Sequence, residues 1–263
     1  MIIKILALGD TVGETGTGWL CRPGFLSGIR SREGIHLIIA NGENSGKGNG
    51  LTPESADSLF DAGVDVITGG NHTWQRREIY SRLDDDERLV RPANFPGSAE
   101  GRGYTYVDVC GYRVLVFNLS GNAFMTEYVA NPFEWADKIL KAEEGNFDIS
   151  VLDFHAETTS EKIAMGWYLD GRASVVFGTH THVQTNDAEV LPKGTGYITD
   201  LGMCGSMNGV LGVETECILH KFTVHTPVRF REAKGRLALH GAIFEVDTDT
   251  GRCISAKTFI EKE

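Results

Sequence analysis

Five apolar runs of this chain each end in a side chain that can bind a cation or move a proton. Asp10 follows "IIKILALG", Glu43 and Asn44 follow "HLIIANG", and Asn71 and His72 follow "VDVITGG"; His155 closes "SVLDFH", and His180 and His182 follow "SVVFGT". One such residue at a strand end is an ordinary turn former. Five in succession are not what solvated turns produce. The pair in "FGTHTHVQT" raises the sharpest question. In an extended segment residues i and i+2 face the same side. His180 and His182 are therefore expected to project into one space, as a metal site, an acid/base pair or a polar loop.

Carboxylate, carboxamide and imidazole without thiolate form a nitrogen and oxygen donor set suited to zinc, manganese or iron. Asp10, Glu43, Asn44, Asn71, His155, His180 and His182 are too many ligands for one ion and about right for two that share a bridge. Glu43 has the reach to be that bridge, one oxygen to each cation. Two-metal hydrolases hold their ions roughly 3.5–4 Å apart and clamp the attacking and leaving oxygens of an in-line displacement. Two carboxylates against two divalent ions leave a positive site, still positive after a bridging hydroxide binds. Such a site suits a phosphate ester, a singly charged diester best. Asn71 and His72 are neighbours whose side chains should diverge. If Asn71 faces a metal, His72 is left to face substrate and protonate the leaving alkoxide.

The elements that must position these residues are legible as short apolar strands rich in Val and Ile, separated by helical patches. "IIKILAL", "HLIIAN", "VDVITGG", "YTYVDV", "YRVLVFNL", "DISVLDFH", "ASVVFGTH" and "GYITDLG" read as strands. One helix starts at Thr52-Pro53 and runs to Gly63; another starts at Thr158 with Glu161 three residues on, a capping box. The C-terminal part, from "KFTVHTPVRF" through "LALHGAIFEV" to "ISAKTFI", reads as strand-rich. Alternating strands and helices predict a layered α/β fold with one mixed sheet or two facing sheets, its site at the C-terminal ends of the strands. No linker or repeat divides the chain, so a single domain over 1–263 is expected.

Composition narrows the classes. The chain has 263 residues, 41% hydrophobic and 23% charged, as an ordinary globular protein with a sizeable core does. It contains no apolar run long enough to span a membrane, and "MIIKILALGD" reads as a first strand, not a signal peptide. Five scattered cysteines with no C-x-x-C pair suggest reduced thiols in a cytoplasm. A net charge of −11 argues against binding along duplex nucleic acid. A local basic patch from Arg76, Arg77, Arg88 and Arg91 leaves an RNA-binding module open, though not favoured. "NGENSGKGNG" lacks the spacing of a nucleotide-triphosphate loop, and "GETGTG" lacks that of a dinucleotide fold. Asp153 and Asp200 read equally as carboxylates behind the ligands or as buried caps. Asp170 and Arg172 end a helix, His36, His220, His225 and His240 sit on strands or turns, and Trp74 and Trp167 read as packing residues.

The ordered set "GD-x-VG", "NGEN", "GGNHTW", "RPANFP", "DFHAETTSEK", "YLDGRAS", "GTHTHVQT" and "YITDLGM" resembles the YmdB-like branch of the calcineurin-type metallophosphoesterases. Two departures from the wider superfamily pattern are shared with that branch: Val12 in place of the histidine of D-x-H, and "NGEN" in place of the usual aspartate segment. The resemblance implies a four-layer αββα sandwich with mixed sheets and hydrolysis of phosphodiesters, including 2',3'- or 3',5'-cyclic nucleotides, by a metal-activated hydroxide. It implies iron or manganese as the two ions, one bound by Asp10, Glu43, Asn44 and His182, the other by Glu43, Asn71, His155 and His180, with His72 as proton donor. A homo-oligomer is expected by analogy. "GETGTG" departs from the branch, which more often has arginine after that glycine, and puts a substrate contact there in doubt. The alternatives are a phosphomonoesterase on the same scaffold and a metal-dependent regulatory or RNA-binding module whose hydrolysis is incidental.

Overall fold

A computed structural model describes all residues, 1–263. The chain first lays down β1 (Ile2–Leu8), β2 (Asp10–Thr11), β3 (Leu37–Asn41), β4 (Val66–Thr68) and β5 (Leu89–Val90) in one sheet. It then builds a second sheet from β6 (Tyr104–Val109), β7 (Tyr112–Ser120), β8 (Ile149–His155), β9 (Val175–Thr179), β10 (Glu189–Val190) and β11 (Gly196–Ile198). It returns to the first sheet with β12 (Met203–Ser206), β13 (Leu237–Asp247) and β14 (Arg252–Lys262). The strand orders are β2-β12-β13-β1-β3-β4-β5, with β14 on β13, and β10-β11-β9-β8-β7-β6. Both sheets are mixed: β1, β3, β4 and β5 run parallel, as do β7, β8, β9 and β11, while β13 lies antiparallel to β1.

Strand periodicity sorts the apolar side chains into layers. On β1, Ile3, Ile5 and Ala7 point between the sheets and meet Val114, Val116, Val151, Val175 and Phe177 of the second. Leu6 and Leu8 point the other way, with Ile38, Ala40 and Ile67, against helices α1 (Gly13–Leu20), α2 (Phe25–Glu33), α3 (Pro53–Ala62) and α4 (Tyr80–Asp85). Leu115, Phe117, Leu152 and Phe154 on the far face of the second sheet pack on α5 (Pro132–Ala142) and α6 (Thr159–Leu169). Three apolar seams separate four layers, the αββα sandwich expected from the sequence. The C-terminal ends of β1, β3 and β4 and those of β8 and β9 deliver the polar residues named above.

Local chemistry explains the helix starts. The Thr52 hydroxyl accepts from the Ser55 backbone N–H and Ser55 answers to the Thr52 N–H, Pro53 supplies the first turn, and Gly63 closes α3 at φ 107°. Thr158 likewise accepts from the Glu161 N–H, but the box is only half closed. The Glu161 carboxylate turns instead to the backbone N–H groups of Asn122 and Ala123, tying down the loop after β7.

Other expectations fail for identifiable reasons. "GETGTG", which has no dinucleotide spacing, forms the start of α1. A Cβ on Gly16 would collide with the Cys204 carbonyl oxygen, so glycine here lets the helix press on β12. "KFTVHTPVRF" is not a strand: its first half belongs to α7 (Thr215–Val224), which also carries His220, and the rest is irregular. Alternating β-branched residues are a weak, context-dependent signal, and β13 is already paired on both edges. Trp74 packs on Phe95 at 4.6 Å, whereas Trp167 lies 56% exposed on α6 and is not a packing residue. All five cysteines are free, and no helix is long and apolar enough to cross a membrane.

Candidate metal centre

The first sheet supplies the carboxylates. Asp10 follows Gly9, where a Cβ would collide with the Gly202 carbonyl oxygen, and is wholly buried. Its Oδ2 accepts from the His180 backbone N–H at 3.0 Å, while its Oδ1 has no hydrogen-bond partner and lies 3.6 Å from His182 Nε2. A buried carboxylate oxygen without a donor is costly, and here it points at a ring nitrogen that can share a cation with it. After β3, Glu43 is also buried. Its Oε2 accepts from the His72 backbone N–H at 2.8 Å; its Oε1 accepts from Asn44 Nδ2 at 3.0 Å and lies 3.3 Å from His155 Nε2.

The second sheet supplies the imidazoles. His155 Nε2 is ringed by donor atoms: Asn71 Oδ1 at 3.0 Å, His180 Nδ1 at 3.0 Å and Glu43 Oε1 at 3.3 Å. Its other nitrogen, Nδ1, lies 2.9 Å from the Thr179 hydroxyl, which donates to Asp153 Oδ1 at 2.7 Å. That relay fixes Nδ1 as the protonated nitrogen and leaves the Nε2 lone pair to the centre. Asp153 is held in turn by Thr68 at 2.5 Å and Asn41 at 3.1 Å. Of the two readings for Asp153, the structure selects the carboxylate behind a candidate ligand. Burial pushes its acid up to about 6, against the opposing pull of His155 and these hydroxyls.

The two histidines of "THTH" do not share a face of an extended strand. β9 stops at Thr179, and His180 and His182 adopt φ of 100° and 63°. The turn sends His180 toward His155 and Glu43 and His182 toward Asp10 and Asn44. His182 Nδ1 lies 3.2 Å from the Leu211 carbonyl oxygen, which aims Nε2 inward.

The predicted ligands thus gather in two groups that meet at Glu43. Glu43, His155 and His180 place ligand atoms within 4.8 Å of one another, a group that could hold a metal ion, and Asn71 adjoins it. Asp10, Asn44 and His182 form the looser group, Asn44 Nδ2 lying 3.5 Å from His182 Nε2. Asn44 presents its amide nitrogen to this group and its Oδ1 to His72 Nδ1 at 3.1 Å. Ligation through oxygen would need the amide turned over. A Cβ on Gly70 would run into Glu43 Oε2 and His155 Nε2, so glycine leaves the space these groups fill. Orphaned Asp10 Oδ1, a nitrogen and oxygen donor set and that cradle all fit a bound cation.

The electrostatics agree. Burial favours neutral acids, yet His155 and His72 hold the Glu43 carboxyl well below the usual range, and His182 lowers that of Asp10. Burial favours a neutral His155 too, yet the Glu43 carboxylate lifts it to about 9. Burial and the neighbouring His155 push His180 down, while Asp10 outweighs burial and raises His182. Without metal, protons perform the charge balancing that a cation would take over.

The YmdB-like protein family matches residues 6–259 of the chain. The chain belongs to the YmdB-like family. Its fold and its enzyme class, metallophosphoesterase, are those the resemblance implied. A relative from Bacillus subtilis named 2',3'-cyclic-nucleotide 2'-phosphodiesterase is 43% identical over 98% of this chain and 97% of its own. The crystal structure of a hypothetical protein from Thermus thermophilus superposes with a TM-score of 0.92 at 40% identity, covering 99% of this chain and 100% of that one. That of a novel phosphatase from Mycoplasma pneumoniae gives 0.93 at 33% identity, covering 100% and 94%.

Several residues of this YmdB-like site escaped sequence reasoning. Glu157, two residues beyond His155, lies 3.0 Å from His180 Nε2. Thr179, Thr68 and Asn41 back His155, and the Leu211 carbonyl reaches His182 from a distant irregular segment. Glu157, Thr179 and Asn41 lie inside the motifs "DFHAETTSEK", "GTHTHVQT" and "NGEN", which marked their positions but not their roles. Three of the four arginines considered as a basic patch are engaged within the protein. Arg91 is buried among the carbonyls of Pro92, Ala93 and Gly101, Arg88 pairs with Asp86 at 2.7 Å, and Arg76 holds the Asn49 carbonyl at 2.9 Å.

Proposed function

We propose that this single 1–263 domain is a cytoplasmic phosphodiesterase holding two metal ions, iron or manganese, and opening 2',3'-cyclic nucleotides. Asp10, Glu43, Asn44 and His182 would hold one ion, and Glu43, Asn71, His155 and His180 the other. The observation that carries this reading is the meeting of the two groups at one buried carboxylate, with Asn44 3.0 Å and His155 3.3 Å from the same Glu43 oxygen. Bound there, the cations would offset charge on the phosphoryl oxygens and lower the pKa of an attacking water. The name of the 43%-identical relative favours 2',3'-cyclic over 3',5'-cyclic substrates.

The chain's own residues do the remaining work. His72 is 27% exposed, and its Nδ1 is tethered to Asn44 Oδ1 at 3.1 Å and Glu43 Oε1 at 3.2 Å. That tether leaves Nε2 as the atom that can deliver a proton to the leaving ribose oxygen. Thr179 and Asp153 keep the His155 ring oriented, and Glu157 does the same for His180.

Elemental analysis of the purified protein, with a screen of cyclic and linear nucleotide diesters, tests the reading. Two equivalents of metal, lost together with diester hydrolysis in Asp10→Ala and His182→Ala, are expected. A metal-free wild type that still cleaves diesters would refute it. The phosphatase from Mycoplasma pneumoniae, at 33% identity, supports a monoesterase as the second reading. Comparing a bis-aryl with a mono-aryl phosphate separates the two.

A further inference from the structure

We propose that the buried Lys162–Asp200 ion pair is a positioning device that holds the His180-Thr181-His182 turn in its metal-binding shape. The proposal rests on the reading of both histidines as metal ligands. That turn needs an external brace. β9 ends one residue before it, and His180 and His182 both occupy the left-handed region that L side chains rarely adopt.

Asp200 supplies the brace. Its Oδ2 accepts from the Thr181 backbone N–H at 3.1 Å and from the Thr181 hydroxyl at 2.7 Å, both on the residue between the two histidines. Its Oδ1 accepts from the Gly202 N–H at 2.8 Å, and its backbone exchanges bonds with Thr185, donating to the hydroxyl at 2.9 Å and accepting from the N–H at 3.0 Å. Asp200 is thereby fixed in place before it acts on Thr181.

Lys162 completes the device. Its Nζ lies 2.6 Å from Asp200 Oδ2, and both side chains are only 1% exposed. With Met165, Gly166 and Leu169 it forms the buried face of α6. An apolar residue there would pack without the cost of desolvating a charge. A lysine there adds a third donor to the Asp200 oxygen that already accepts both Thr181 bonds. The strand beside it is cleared for its stem: a Cβ on Gly178 would meet Lys162 Cδ at 2.8 Å and collide with the Thr199 carbonyl oxygen. Neither Lys162 nor Asp200 is among the groups gathered at the centre, so both act through Thr181. Residues that orient metal ligands in this way commonly change metal affinity by about 10- to 100-fold.

Manganese(II) affinity by chelator competition, manganese stoichiometry, melting of the metal-free protein, and kcat and KM for a cyclic diester test the proposal. Thr181→Val keeps the ion pair and removes one bond to Asp200. It is expected to weaken manganese binding about tenfold, with Thr181→Ser restoring wild-type affinity and both metal-free variants melting alike. Lys162→Met is expected to weaken binding further, with kcat recovering in excess manganese. The Thr181 pair decides the matter even where Lys162→Met does not fold. Wild-type protein that binds manganese tightly, with Thr181→Val binding it equally well, overturns this proposal alone. Wild-type protein that binds neither manganese nor iron overturns the metal reading and this proposal with it.

Discussion

Asn71 and His72 are adjacent in the chain and part in the structure: the first turns its Oδ1 to His155, the second its Nδ1 to Asn44 and Glu43. Because His72 lies at the partly open side of the cluster, removing it should spare the ions. His72→Ala is expected to retain metal by elemental analysis and lose roughly 10²- to 10⁴-fold in turnover; full activity would remove it from the mechanism. A second prediction concerns protons. In the metal-free protein Glu43 overcomes burial and raises His155 from its ordinary 6.5 to about 9. A group raised in this way contributes stability that is complete below 6.5 and lost as pH climbs through 9. Metal ligation requires the neutral ring, so a cation must displace this proton. Manganese affinity should rise about tenfold per pH unit across that window and level off above it. A flat profile in chelator competition would contradict the assignment of His155. Side-chain types at strand ends were readable from the sequence because chemistry is a property of residue type. The supports Thr179, Thr68 and Asn41 were not, since an unremarkable hydroxyl or amide acquires its role only from what the fold sets beside it.

At the scale of elements, the turn after β4 is the tightest constraint. Gly70 does not occupy a positive φ, so alanine is compatible with its backbone, yet a Cβ there would run into both Glu43 Oε2 and His155 Nε2. Gly70→Ala should therefore fold with an unchanged far-ultraviolet dichroism spectrum and lose on the order of 10- to 100-fold in metal affinity. A variant that binds manganese normally would show that the cluster can yield without cost. The strands and the helices with Thr caps were legible because β-branched runs, capping hydroxyls and terminal glycines act locally. α1 was hidden because Gly16 answers to a close approach between helix and β12 that no local pattern encodes. α7 was misread because alternation along "KFTVH" is a local preference, and β13 has no free edge left to pair with it. The "THTH" turn kept its residues and lost its assumed geometry. Same-face placement holds for extended backbone only, and both histidines have left it.

The whole molecule turns the site into a clasp between its two sheets. Asp10, Glu43, Asn44 and Asn71 leave the first sheet, while His155, His180 and His182 leave the second, and the apolar seam between β1, β3 and β4 and β7, β8 and β9 holds the two sets in register. Ions bound at this edge would contact both sheets at once, and would bind the folded chain far better than the unfolded one. At a free concentration one hundred times the dissociation constant, one such site adds about 2.7 kcal/mol to stability. A chain of this size shifts its melting temperature by about 2–4 °C for each kcal/mol. Manganese-loaded protein should therefore melt about 5–10 °C above chelator-treated protein, more if both sites fill. His180→Ala should lose much of that increment while its metal-free form melts close to the metal-free wild type, because His180 is partly exposed and packs no apolar core. Differential scanning calorimetry on the four samples decides the point. Equal melting temperatures with and without manganese would mean that the converging side chains do not hold an ion between the two sheets.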